Sequence, residues 1–378
     1  DDDTAENLDR MQRVMKENMN SWYGCLGSGT TAKTKARPFR LANSGIAADI
    51  TETARIHNDW NKRLINESSL LFTTEGVSPL IDMDGKTRSS ESEKECYKKS
   101  LKNNTKIKSD SVVLLFRTIY QDTDSCKVEI VNHDEAESLI RPFTENDIRS
   151  MANILCIGLN NSYDDFVKQT LNVESNEFFK VKPDAYYRCY FSWGIKKRYA
   201  YLDYGDSKGY RGVELRRSSA PQIVKRVQHR LFDCILHGGD RQAVNRLLRE
   251  LNAELLNPEL TPSSDFGQPI GLKATGTMQH RAALWSNKKL NTNFDIGDKP
   301  ILFIASSCGK GSLPPNRIVA LEWGESPEAH TITVDRERAI AKHIAESKSF
   351  ISILNALGTS WERAIAGVSQ SSFGEWFE

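Results

Sequence analysis

The sequence predicts an α+β chain: antiparallel strands in its first half and mainly helices after about residue 222. Three observations carry this. An apolar run at 112–116 and Ile119 is followed by a polar turn at 121–125 and then by Val128, Glu129 and Ile130, the signature of a β-hairpin. A second stretch, 178–204, is rich in aromatic and β-branched residues, which suit strands. Beyond it, Ile223, Val224, Val227, Leu231, Phe232, Ile235 and Leu236 recur at helical spacing.

With 378 residues the chain has room for two or three domains. Lys plus Arg number 51 and Asp plus Glu 50, so nucleic-acid binding would have to come from local basic patches. Cysteines stand singly, with no C-x-x-C pair, which argues for reduced thiols and against zinc or iron–sulfur modules. No apolar run reaches the length of a membrane span and no signal peptide is evident. The expectation is a cytoplasmic location. His229, His237, His280 and His343 show no metal-ligand spacing and read as surface or core residues.

The hairpin carries the chemistry. Its turn reads YQDTDS over 120–125, with Asp122 and Asp124 on either side of one Thr. Side chains two apart on extended backbone share a face, so both carboxylates can point the same way. Mg²⁺ prefers hard oxygen ligands and takes one or two carboxylates together with substrate phosphates. A D-x-D pair is also a common solvated turn. Its neighbours in the sequence decide between the two.

Residues 5–24 carry Leu8, Met11, Val14, Met15 and Met19 at helical spacing, with Gly24 as a stop. Lys16 and Asn20 stack on one face of that helix, with Tyr23 following. A Lys can hold phosphates as a point charge, and an aromatic can pack on a base pair. The stretch GIAADITETAR (45–55) follows. A polar insertion at about 60–110 includes Lys98, Lys99, Lys102, Lys106 and Lys108 and reads as a solvated surface loop. Helical patterns occupy about 135–172. The 178–204 stretch contains Lys196, Lys197, Arg198 and Tyr199, followed by RGVELRRSSAP with Arg211, Gly212, Glu214, Arg217 and Pro221. Three cations beside an aromatic suit a sugar–phosphate backbone, although edge strands also carry lysines for solubility. After the helix ending at Gly238 and Gly239 comes a second one, stopped near Pro258, then a loop over 261–277. A strand is expected after G-D-K in 280–306, and the last seventy residues read as helices.

In chain order, K-x-x-x-N-S-x-Y-G, YQDTDS, KKRY and R-G-x-E resemble the motifs of family B DNA polymerases, and the resemblance covers nearly the whole chain. It implies a second fingers helix at 1–24, a palm of antiparallel sheet and helices at 25–221, and a mainly helical thumb at 222–378. It also implies a DNA-directed DNA polymerase that adds dNTPs to a primer 3′-hydroxyl through two Mg²⁺ ions. Asp122 and Asp124 would be the catalytic metal ligands, and Lys16, Asn20 and Tyr23 would meet the incoming dNTP. Lys196, Lys197, Arg198, Tyr199, Arg211, Gly212 and Arg217 would hold primer–template DNA. The 45–55 stretch would be a palm helix beneath the site, with Arg55 supporting the palm.

Three departures qualify this. Gln121 stands where the family has a small residue, bringing bulk toward the primer terminus; Ala54 replaces a Gly, and an Arg replaces a Lys in the R-G-x-E piece. The family's D-x-x-S-L-Y-P aspartate, first fingers helix and exonuclease domain are absent from this sequence, which begins with Asp. The expectation is a split, processed or truncated C-terminal portion, inactive alone and completed by a second polypeptide. The alternatives are a catalytically inactive, polymerase-like DNA-binding scaffold subunit and, more weakly, a protein-primed viral polymerase. The closing SFGEWFE could dock on a sliding clamp, although a helix end is its commoner use.

Overall fold

The computed structural model describes residues 44–79, 111–122, 125–132, 141–177 and 179–366. The fingers helix expected at 1–24, with Lys16, Asn20 and Tyr23, lies outside them, as do Asp124 and the SFGEWFE segment. The chain divides into two compact units, Asp1–Tyr186 and Tyr187–Glu378. The expected boundary at 221/222 falls inside the second.

In the first unit, helix α1 (Ser44–Glu67) begins at the GIAADITETAR stretch and runs on for three further turns. Strands β1 (Ser69–Thr73), β2 (Val77–Pro79), β3 (Ser111–Asp122) and β4 (Ser125–Asn132) form an antiparallel sheet in the order β2-β1-β3-β4. Residues 60–79 of the polar insertion therefore belong to helix and sheet, and its lysine-rich part lies outside the described residues. Leu70, Phe72, Val112, Leu114 and Phe116 alternate onto one face of the sheet. They pack against Trp60 and Ile65 of α1 and against Met151, Leu155 and Leu159 of α2 (Glu145–Asn161). Each such side chain, fully buried, contributes roughly 1.5–3 kcal/mol.

The N-terminus of α2 is fixed by a capping box between Thr144 and Asp147. Arg141 closes it with a two-point ion pair to Asp147 at 2.6 and 2.9 Å, and holds that carboxyl well below the usual carboxylate range. Helix α3 (Tyr163–Phe166) and a π turn (Val167–Leu171) follow, ending at Asn172 in the left-handed region.

The second unit opens with a three-stranded antiparallel sheet, β5 (Tyr187–Ser192), β6 (Tyr199–Asp203) and β7 (Lys208–Arg211). Helix α4 (Gln222–Leu236) lays its apolar stripe against this sheet, and Phe232 meets Trp193 and Tyr210 at 5.6 Å each. Gly238 ends α4 at φ +81°, and α5 (Arg241–Leu256) starts from Asp240, whose side chain accepts the Ala243 amide.

After β8 (Gln268–Pro269) and α6 (Met278–Leu290), strand β9 (Ile301–Cys308) appears where G-D-K predicts one. The expectation of helices throughout the last seventy residues is corrected here. β10 (Ile318–Leu321) and β11 (Ile332–Val334) pair with successive halves of β9, before the helices α7 (Arg336–Ile340), α8 (Lys348–Ala356) and α9 (Trp361–Ala366). Runs of three or four apolar residues carry no period of their own, and the long strand beside them settles their state.

Candidate functional site

The acidic hairpin is built on an irregular ladder. Thr118 pairs with Val128 and Tyr120 with Lys127, so Ile119 is an extra residue, a β-bulge. Up to the bulge, the even-numbered residues of β3 face the core. Past it the parity reverses. Gln121 now stands opposite Cys126 on the core side, and Asp122 stands opposite Ser125 on the other face of the ladder.

Helix α1 holds this tip from beneath. Gln121 donates its amide to the Asn58 carbonyl oxygen at 2.9 Å, and the Cys126 thiol donates to Asn58 Oδ1 at 3.6 Å. Next to the bulge, the Thr118 amide donates to Asn66 Oδ1 at 2.8 Å. Deeper, Tyr163 donates to Asn61 and Trp60 to Ser162, both in buried surroundings. Burial pushes the Cys126 thiol up and the His57 imidazole down.

Two sequence expectations change here. Gln121, expected to bring bulk toward the primer terminus, directs its side-chain amide to α1. Arg55, the expected support of the palm, turns to its own helix. It is exposed and pairs within its own helix with Glu52 and Asp59. Asn58 and Asn66 do fasten the hairpin, and nothing in the sequence marks them, because a polar residue in an amphipathic helix reads as surface.

Among the described residues, no group of three or more His, Cys, Asp and Glu side chains is arranged to hold a metal ion. Of the two carboxylates expected to hold Mg²⁺, Asp122 ends β3 and Asp124 lies outside the described residues.

The basic residues form a second feature. Lys196 and Lys197 do not lie in a strand, as KKRY suggests, but in the turn joining β5 to β6, with Lys197 at φ +62°. The Arg198 amide bonds to the Ile195 carbonyl, and Tyr199 opens β6 opposite Arg211. Gly212 follows at φ +65°, and a Cβ there would lie 2.6 Å from the Lys197 carbonyl oxygen. Lys197, Arg198, Tyr199, Arg211 and Gly212 are thus brought together at one end of the sheet. Arg217 is engaged with Glu214 at 3.0 Å.

Tyr199 belongs to a row of four tyrosines. Tyr199 and Tyr201 stand on the face opposite buried Ala200 and Leu202, with Tyr190 at 5.2 Å from Tyr199 and Tyr187 at 4.5 Å from Tyr201. Gly209 makes room for the Tyr201 ring, since a Cβ there would lie 2.0 Å from it. The alternation Tyr199–Tyr201 is the signal in the sequence that could have found this row.

Comparison with models of known protein families and with curated proteins finds no match for this chain. Among the described residues, no helix is long and apolar enough to cross a membrane.

Proposed function

We propose that this chain is a C-terminal portion or subunit of a DNA-directed DNA polymerase of the family B type. It would be completed by a segment carrying the D-x-x-S-L-Y-P aspartate and an exonuclease domain. One observation supports this most: the bulged hairpin, laid on a helix, puts Asp122 on the face opposite that helix at the tip of an acidic turn.

In this reading the first unit contains palm, and the second contains the primer-gripping sheet and a thumb. Asp122 and Asp124 are the residues that would hold Mg²⁺, which would supply charge stabilisation for phosphoryl transfer. Lys16, Asn20 and Tyr23 receive the dNTP. Lys196, Lys197, Arg198, Tyr199, Arg211, Gly212 and Arg217 keep the primer strand in place through backbone contacts. The chain's main contribution is to orient the 3′-hydroxyl against the α-phosphate.

A second reading, a DNA-binding scaffold without catalysis, draws on the tyrosine row and basic turn, which need no carboxylates. Primer extension with Mg²⁺ and dNTPs separates the two. Activity with the completing segment, lost in Asp122→Ala and Asp124→Ala, is expected for the polymerase. Duplex binding with no extension in any mixture would move the conclusion to the scaffold.

A further inference from the structure

We infer that Gln121 is a positioning residue: its bond to the Asn58 carbonyl sets the strand parity that aims Asp122 away from the helix. This rests on the polymerase reading for what Asp122 does, but not for how it is held.

The bulge makes the role necessary. In a regular ladder, alternation from buried Phe116 would place residue 122 on the core side. The extra residue at Ile119 reverses that order and disrupts the ladder locally, so the register beyond it needs support from outside the ladder. Slippage would exchange the faces of Gln121 and Asp122. Two bonds from α1 bracket the bulge and oppose this: Asn66 Oδ1 accepts the Thr118 amide before it, and Asn58 O accepts the Gln121 amide after it. Gln121 also reaches Cys126 Sγ on the partner strand at 3.6 Å, tying both strands of the tip to one point of the helix. Only a long side chain with an N–H donor spans that gap. Glycine, the small residue that the resembled motif would place here, offers no donor to Asn58.

The test compares the unmodified full chain with Gln121→Gly and Gln121→Met. Methionine keeps the length of the side chain and removes the donor, so it guards against loss of folding. Alkylation of Cys126 by N-ethylmaleimide, read by peptide mass spectrometry, reports whether the tip is fastened. Mn²⁺ binding to the chain, read by electron paramagnetic resonance with Asp122→Asn as reference, reports whether Asp122 is aimed. Extension with the completing segment adds kcat and KM.

Both variants are expected to alkylate faster. They should bind Mn²⁺ and turn over more weakly by roughly threefold to tenfold, the scale of one net hydrogen bond, with KM for dNTP little changed. Unchanged alkylation would overturn the clamp. Faster alkylation with unchanged or improved Mn²⁺ binding and kcat would overturn the positioning role, and improvement is what a bulky Gln over the primer terminus predicts. If Asp122→Asn leaves Mn²⁺ binding and extension as they were, Asp122 is no metal ligand and the positioning role falls with it; no extension by any protein, the unmodified chain included, is what removes the polymerase reading. The thiol rate then still shows whether the hairpin is held.

Discussion

Tyr163 donates its hydroxyl to Asn61 Oδ1 at 3.0 Å, although the two residues stand 102 positions apart and both are buried. The bond joins α3 to α1 beneath the acidic hairpin, beside the parallel link from Trp60 to Ser162. Its removal leaves a buried acceptor with no donor. Tyr163→Phe should destabilise the first unit by about 1–3 kcal/mol, the cost of an unsatisfied buried polar group. Urea unfolding followed by tryptophan fluorescence checks this; a change within error would mean that Asn61 finds another donor.

Gly212 follows Arg211 at φ +65° and lies against the Lys197 carbonyl and the Arg198 side chain. Gly212→Ala adds left-handed strain and a backbone clash at once, and a cost of about 1–3 kcal/mol is expected. The basic turn should shift with it, so duplex affinity should fall along with thermal stability. Loss of stability alone, with affinity retained, would separate the turn from DNA binding.

The basic turn makes its own prediction. Each phosphate contact removed shortens the salt dependence of DNA binding by about one unit of slope. Lys196→Ala combined with Arg211→Ala should therefore lower duplex affinity and flatten log K against log salt by roughly two such units. Fluorescence anisotropy across a salt series measures both. Lower affinity with an unchanged slope would place these cations off the phosphates.

His343 lies in the π turn Ala341–Ala345 beside Lys342, and burial pushes its imidazole down to about 4. A base with a depressed folded pKa is held neutral in the fold and takes up a proton on unfolding. Its contribution to stability is complete above the unfolded value near 6.5 and is lost as the pH falls toward 4. His343→Gln should flatten the fall in thermal midpoint across that window, a difference of about 1–3 kcal/mol by linkage. Parallel curves for the two proteins would show that another group titrates there.

The sequence by itself determined the elements whose signal is local. The hairpin strands are legible from an apolar run on either side of an acidic turn, and α4 and α5 from their apolar stripes with stops at Gly238 and Pro258. The cluster of cations after the hairpin is legible for the same reason, whereas the expected order of strands first and helices after fails, because β9, β10 and β11 follow α4 and α5. Tertiary structure alone decided which way the side chains point. Neither the bulge at Ile119 nor the partner of Gln121, 63 residues earlier, leaves a trace in a window of neighbouring residues. β10 and β11 became strands because β9 offered unpaired backbone, and Lys196 and Lys197 became a turn because Gly212 allows the chain to pass close beneath them. Periodicity reports how a segment divides its own faces. Which face meets which partner is set by packing and hydrogen bonds between segments far apart in the chain.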